Sequence, residues 1–328
     1  MNPPDPELRI GIDVSPFALT EAGTARYIRN LLAAIDGVDV RRYSFPGASK
    51  PAKVARDVLW YLGVLPLKAA RQRVDLLHCP GHRGPLRSRV PVVVTIHDLG
   101  VFRHPETFNP WTRSYSRAFL PRLAKAAARV IAVSEFTKGE TVELLGVAAN
   151  RVHVIPHGVG PPFEPVGPAA GGDYALAVGT VEPRKNLIRA QLAAERAGVE
   201  LRVVGPPGWG DVGVDTVGFV DDDELARLYR GAQCLVYPSL YEGFGLPVLE
   251  AMACGTPVVT SAAGATAEVA GGAAVLVDPL DVDAIAAGIR EAIGRREELR
   301  AAGLERAAGF TWDEAARRTI QVYREAAA

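Results

Sequence analysis

The chain has 328 residues, 48% of them hydrophobic and 23% charged, with a formal net charge of zero; this composition supports a buried core and excludes a disordered chain. The length fits two domains of ordinary size. Three cysteines, Cys79, Cys234 and Cys254, lack a C-x-x-C spacing, which argues against a disulfide framework or zinc site and for buried, reduced thiols.

The opening MNPPDPELRI has no basic region followed by an apolar run, so no signal peptide is expected. Apolar runs are of strand length or broken by charge, so no membrane span is expected and the chain reads as soluble and cytoplasmic. Neutrality hides an asymmetry. Residues 1–165 carry 22 Lys and Arg against 14 Asp and Glu, and residues 166–328 carry 15 against 23. A basic half suits an anionic partner; mutual attraction of the halves is the plainer account.

In chain order, LRIGIDV, VDLLHCP, PVVVTIHD, RVIAVS and RVHVIP read as strands of the first half. Between them lie the helical patterns TARYIRNLLAAI, VARDVLWYLGVL, SYSRAFLPRLAKAAA and FTKGETVELLG. The Gly- and Pro-rich stretch at 157–173 reads as a linker. Beyond it, strands are expected at YALAVGT, LRVVG, VDTVGFV, QCLVYPS, TPVVTS and AAVLVD, with helices at NLIRAQLAAERAG, DDELARLYRGA, PVLEAMAC and DVDAIAAGIREAIG. Apolar strands alternating with amphipathic helices predict two doubly wound, Rossmann-like domains with parallel sheets, 1–165 and 166–310. Ligands of such sheets bind beyond the carboxyl ends of the strands, and a cleft between two such domains is the default site. That directs attention to residues just past each strand: Ser15 to Gly23, His97 and Asp98, Glu182 to Asn186, Gly205 to Gly208, and Glu242.

The segment YEGFGLPVLEAMACGTPVV places two carboxylates, Glu242 and Glu250, among apolar residues and glycines. Pro247 suits a first helical turn, and Gly243 and Gly245 suit a tight loop before it, with the amides of Gly243 to Leu246 at the helix start. Carboxylates only accept hydrogen bonds, so a pair of them suits a ligand bearing hydroxyls, such as a sugar or ribose; a capping carboxylate beside a solvated one is the bland alternative. In VGTVEPRKNL, Arg184 and Lys185 follow a strand and precede a helix. There they suit a diphosphate, although most such pairs are plain surface charge.

These segments, with VIPHGV, resemble glycosyltransferase family 4, retaining enzymes of the GT-B fold that use nucleotide-sugar donors. EGFGLPVLE matches the family's E-x7-E motif without a gap. EAGTARYIRNLL is similar to its N-terminal glycine loop and helix, VTIHDL to its histidine strand end, VIAVSEFTKGET to a further family segment, and FTWDEAARRTIQVYREA to the tail helix (311–328) that crosses back to the N-terminal domain. The resemblance implies that Arg184 and Lys185 hold the donor diphosphate and stabilise the leaving group. It implies that Glu250 binds ribose hydroxyls, and that Glu242 binds the transferred sugar together with Gly243, Phe244, Gly245 and Leu246. It further implies that His97 contacts the sugar through a ring nitrogen or its backbone carbonyl, that Gly23 and Thr24 let the first loop approach phosphates or acceptor, and that Phe219 and Val220 lie near the base. The implied reaction is a front-face substitution in which the leaving diphosphate takes the acceptor's proton. No enzymic nucleophile is named, and Glu242 reads as a hydroxyl clamp rather than a glycosidase-type nucleophile.

Other signals are weaker. Asp221, Asp222 and Asp223 contain D-x-D but directly precede a helix, where an aspartate caps, so no metal or other cofactor is expected. His78 and His82 suggest a metal pair with Cys79, but without a further ligand cluster they read as strand-end and loop residues lining the cleft, and His153 as structural. VVGPPGWG is not G-x-G-x-x-G, so no dinucleotide is expected. His157 stands where the family often has asparagine. A sugar-nucleotide epimerase of the same architecture, or a non-catalytic sugar-nucleotide binder, are the competing readings; scattered basic residues without interleaved aromatics argue against nucleic acid. For the acceptor (glycan, lipid-linked or small molecule), KPAKVARDVLWYLGVLPLKAARQR sets Lys50, Lys53, Arg56, Lys68, Arg71 and Arg73 around Trp60 and Tyr61. This suits peripheral contact with an anionic membrane at the inner face of the plasma membrane, against the plainer reading of a helix packed on the sheet. For the donor, the TIHDL and IPHGV variants resemble branches that include mannosyl- and rhamnosyltransferases of surface polysaccharide assembly, which favours GDP-mannose.

Overall fold

The computed structural model describes residues 8–18, 23–45, 56–208 and 213–328. The chain forms two compact units: residues 1–157 with 312–328, and residues 158–311. The division falls at the start of the Gly- and Pro-rich stretch.

Unit 1 is built on six parallel strands: β1 (Arg9–Asp13), β2 (Asp39–Tyr43), β3 (Leu76–Cys79), β4 (Val92–Ile96), β5 (Arg129–Ala132) and β6 (Val152–Val154), in the order β2-β1-β3-β4-β5-β6. Strands β3 and β4 are buried along their whole length, as runs such as VVVTI require when helices cover both faces. One face packs Ile10, Ile12, Leu76, Val93 and Ile131 against Tyr27, Ile28 and Leu31 of helix α1 (Gly23–Ala34). The C-terminal helix, Trp312–Ala327, adds Ala315, Ala316, Val322 and Tyr323 to that same cluster, so the tail returns to unit 1. Burying a side chain the size of Val322 contributes roughly 1.5–3 kcal/mol, enough to make the tail part of the core.

Unit 2 repeats the plan with five parallel strands: β7 (Tyr174–Val178), β8 (Glu200–Val204), β9 (Cys234–Tyr237), β10 (Val258–Ser261) and β11 (Val275–Val277), in the order β11-β10-β9-β7-β8. In both sheets the chain first steps outward and then reverses, giving switch points between β1 and β3 and between β7 and β9. Crevices at the carboxyl ends of those strands are where this fold binds ligands.

Two strand expectations change. DVRRY forms β2, an edge strand whose Arg41 and Arg42 are exposed, and so lacks the apolar signature of a strand. VDTVGFV forms no strand. It contributes one antiparallel bridge, Gly205 to Gly218, and Gly218 adopts a φ of +85° that breaks the extended run. The Thr216 hydroxyl is directed at the Val203 and Gly205 carbonyls at 3.1 and 2.8 Å, replacing ladder bonds by local ones.

Candidate active site

The unit 2 site forms where the loops after β7 and β9 meet. Residues 179–186 leave β7 and turn through Asn186, which holds a left-handed conformation with φ +57°. Asn186 is buried, and its Nδ2 donates to the Pro238 carbonyl at 3.0 Å and to Pro279 at 2.6 Å, tying this loop to the end of β9. The Leu240 amide adds a bond to the Arg184 carbonyl at 2.8 Å. Gly205 closes the packing from β8: a Cβ there would lie 2.0 Å from the Gly179 carbonyl oxygen, so only glycine lets the two loops approach.

This lacing sets the charges. Lys185 Nζ donates to Glu242 Oε1 at 2.7 Å and to the Tyr237 hydroxyl at 2.7 Å, and Tyr237 in turn donates to Glu242 Oε1 at 2.8 Å. Arg184 Nη2 donates to Glu182 Oε1 at 2.6 Å. The side chains of Lys185 and Glu242 are only 14% and 13% exposed, so this is a shielded ion pair. Burial alone would push the Glu242 carboxyl up, but Lys185 and Arg184 outweigh it and hold the group below its ordinary value. Burial likewise opposes the charge on Lys185, and Glu242 and Tyr237 reverse that, raising it. A carboxylate stabilised in this way is a weak base and nucleophile, and a good acceptor of hydroxyl hydrogen bonds.

The second glutamate has a different setting. Glu250 lies on the helix Leu246–Ala253, is 2% exposed, and accepts a bond from the Tyr229 hydroxyl at 3.1 Å. Gly245 caps this helix with φ +107°, a conformation glycine adopts without strain, and Pro247 lies in the first turn. The apolar stretch thus carries one carboxylate matched to a lysine and one matched to a tyrosine. The Phe244 side chain is buried, its ring 6.2 Å from that of Phe310, so it packs the core rather than presenting a face. Phe219 stands 61% exposed beyond β8, outside the hydrogen-bonded cluster, as does the half-buried Val220. Asp221 caps the helix Asp222–Gly231, accepting from the Glu224 amide at 2.8 Å.

Unit 1 has a pocket at its own switch point, lined by Asp13 and Thr24 beyond β1, His82 and Arg83 beyond β3, His97 beyond β4, and Tyr61 from the segment between β2 and β3. Gly23 opens α1 directly beside it; residues 19–22 of the expected loop, within the span Ser15 to Gly23, lie outside the described residues. Asp13 accepts from the hydroxyls of Ser15 at 2.5 Å and Tyr61 at 2.8 Å, yet burial raises its pKa. His97 Nε2 bonds the Pro80 carbonyl at 3.2 Å, which assigns the proton to Nε2 and leaves Nδ1 as an acceptor. Its ring stacks on His157 at 5.4 Å and meets the edge of Tyr27 at 4.9 Å. Burial, then His82, depresses His97 to about 4, so the ring is neutral.

Beneath these rings runs a chain of buried polar groups. Tyr323 of the tail helix meets His78 Nδ1 at 2.7 Å, His78 Nε2 meets the Thr95 hydroxyl at 2.8 Å, and Thr95 meets the Tyr27 hydroxyl at 3.3 Å. His78 is therefore a core residue and not a lining one, a correction to the sequence reading; burial drives it down to about 3. Trp60 and Tyr61 are likewise buried, at 5% and 2% exposed, and do not form the aromatic face of the basic segment. The exposed apolar residues there are Val58, Leu59, Leu62, Val64 and Leu67, beside exposed Lys68, Arg71 and Arg73. Lys50 and Lys53 lie outside the described residues, as does the Arg56 side chain.

Sequence reasoning placed Glu182 and Asn186 in a strand-end span without giving either a role, and it missed Tyr237. Tyr237 reads as one more strand residue, and only the alternation of QCLVYPS, which puts its last side chain at the strand's carboxyl end, hints at its place.

Two doubly wound parallel sheets, each with polar groups gathered at its switch point, define the Rossmann-like two-unit class of ligand-binding α/β proteins. The family models agree. Residues 163–307 match "Glycosyl transferases group 1" and residues 9–161 match "Glycosyltransferase Family 4". The O-antigen chain mannosyltransferase B of Escherichia coli is 35% identical over 266 residues, covering 71% of this chain and 70% of that protein. The MMP alpha-(1->4)-mannosyltransferase of Mycolicibacterium hassiacum is 36% identical over 234 residues, 63% of this chain and 56% of that protein. Among solved structures, sucrose-phosphate synthase from Thermosynechococcus elongatus superposes with a TM-score of 0.75 at 21% identity, covering 97% of this chain and 99% of that one. The chain belongs to glycosyltransferase family 4, and it is a glycosyltransferase of GT-B type.

Proposed function

We propose that this glycosyltransferase moves a hexose or deoxyhexose, with retention of configuration, from a nucleoside-diphosphate sugar to a hydroxyl of a glycan, lipid-linked or small-molecule acceptor, with GDP-mannose as the preferred donor. The observation that carries the reading is the pairing of Arg184 and Lys185 with Glu182 and Glu242 at the unit 2 switch point. Two cations there suit a diphosphate, and they supply the leaving group's charge stabilisation from side chains, so the reaction needs no metal. Glu242 offers acceptor oxygens to sugar hydroxyls. Glu250 serves the ribose after a side-chain adjustment that exposes it. The family resemblance gives His97 a part in sugar recognition, for which its neutral ring and Nδ1 acceptor are suited. The names of the two mannosyltransferase relatives support the choice of mannose.

Calorimetric titration of GDP, UDP and dTDP in EDTA, into wild type and Arg184→Ala, tests this. Tight binding of GDP that is lost in the variant is the expected result. Preference for UDP or dTDP would replace the donor, and absence of binding by all three would overturn the diphosphate reading.

The exposed apolar residues Val58, Leu59, Leu62 and Leu67, flanked by Lys68, Arg71 and Arg73, support peripheral contact with an anionic membrane. Co-sedimentation with phosphatidylglycerol vesicles is expected for wild type and is expected to fall on Leu59→Glu/Leu62→Glu. Wild-type protein that stays in the supernatant removes this part.

A further inference from the structure

We propose that Tyr237 is a positioning residue of the donor site: its hydroxyl fixes Lys185 and Glu242 so that each keeps one direction open toward substrate. This inference rests on the donor-site reading above and adds a residue to it.

The argument is one of counting. A lysine ammonium has three N–H donors, and two of those on Lys185 go to Tyr237 and Glu242, each at 2.7 Å. Glu242 has two oxygens, and Oε1 takes both bonds, from Lys185 at 2.7 Å and from Tyr237 at 2.8 Å. The Tyr237 hydroxyl accepts from one partner and donates to the other, closing a three-membered ring of hydrogen bonds. That closure leaves one N–H of Lys185 for a phosphate oxygen and Oε2 of Glu242 for a sugar hydroxyl. Without the tyrosine hydroxyl the pair has a single contact, and both side chains can turn about it. Lys185 then folds fully onto the carboxylate, which satisfies the two charges with each other rather than with a ligand.

Tyr237 is well placed for this. It ends β9 next to the switch point and is 3% exposed, and Lys185 Nζ lies 5.1 Å from the centre of its ring. The two distances set the ammonium out beyond the hydroxyl rather than over the ring face, so it is the hydroxyl that holds it. Gly179 leaves room for the lysine stem: a Cβ there would lie 3.0 Å from Lys185 Cε. Burial raises the Tyr237 hydroxyl above its ordinary value, which keeps it a donor throughout the working pH range.

The test is a double-mutant cycle of Tyr237→Phe and Glu242→Gln, read both on binding of the preferred nucleoside diphosphate and on transfer kinetics, with melting temperatures recorded alongside. Tyr237→Phe is expected to weaken diphosphate binding and lower kcat/KM by about 10-fold each, as for one buried hydrogen bond to a charged group. Melting should also fall, because the ring still fills its place but a buried hydrogen bond to a charged group is lost, so binding and kinetics decide the role. In the Glu242→Gln background the same change is expected to add less than about twofold, since the ring of bonds is already broken. Additive losses, or normal binding and kinetics in a Tyr237→Phe protein with altered melting alone, would show a merely structural tyrosine and overturn the proposal. Wild type that binds no nucleoside diphosphate overturns it together with the donor-site reading, so the two failures are told apart by the wild-type measurement.

Discussion

The two units share a plan and differ in how they bury polarity. Unit 1 holds all six histidines of the chain, and unit 2 holds none. Beside the Asp57–Arg83 ion pair, unit 1 keeps a set of neutral groups around its switch point: His78 joined to Tyr323 and Thr95, and His97 stacked on His157 and edge-on to Tyr27. Unit 2 keeps charges and cancels them in pairs, Arg184 with Glu182 and Lys185 with Glu242. A buried neutral network fails when a proton is forced onto it; a buried ion pair fails when one partner is removed. The same fold therefore carries two different vulnerabilities.

Acid breaks the comparison most strongly. The folded pKa values of His78, about 3, and His97, about 4, lie below the ordinary 6.5, so between 6.5 and those values the unfolded chain binds protons that the folded one refuses. Stability is fully present above pH 6.5 and falls with pH below it; at pH 5 each of the two histidines costs about 2 kcal/mol. Hydrogen exchange at pH 7 and pH 5 should show protection lost across the unit 1 sheet and retained in unit 2. Glu242, held below its ordinary value, gives up its contribution only as pH falls below the usual glutamate range.

Removing one charge should do to unit 2 what acid does to unit 1. Lys185→Met leaves Glu242 shielded and unpaired, and is expected to destabilise unit 2 by about 3 kcal/mol. Lys185→Met/Glu242→Gln should recover most of that loss. Urea titrations of the three proteins measure it, and an equally unstable double variant would count against the pairing.

Much of this was legible in the residues themselves. The apolar runs of β3, β4, β7 and β9 announced parallel sheets, and EGFGLPVLE with EPRKN announced where unit 2 gathers polar groups. What was not legible depends on contacts distant in sequence. DVRRY becomes a strand only because β1 offers it an edge, and VDTVGFV fails to become one because Thr216 and Gly218 satisfy its backbone locally. His78 looked like a lining residue until Tyr323, from the far end of the chain, was seen to meet it. Glu182 pairs with Arg184 two residues on, within the legible EPRKN, but Tyr237 gains its meaning from Lys185, 52 residues away, which no local pattern encodes.

Two smaller effects sharpen the contrast. Tyr323→Phe leaves His78 Nδ1 buried without its partner and should destabilise unit 1 by about 2 kcal/mol, seen as a lower urea midpoint. It should also make the loss at pH 5 smaller, because an unpartnered imidazole is easier to open to water. In unit 2, Asp221→Ala removes the cap from the helix Asp222–Gly231 and should cost about 1 kcal/mol by the same measurement. Donor binding should be unchanged in that variant, since the cap lies outside the charged cluster.

The returning tail helix has a consequence for synthesis. Unit 2 is a continuous stretch, 158–311, inserted between two pieces of unit 1. As the chain leaves the ribosome, the second unit has every residue it needs before the first does. Unit 1 must wait, with His78 and Thr95 in an unfinished core, until Tyr323 emerges to close it. A ribosome that stops short of residue 312 thus releases a chain with a finished unit 2 and an open unit 1, a product that proteases can tell from the full-length protein.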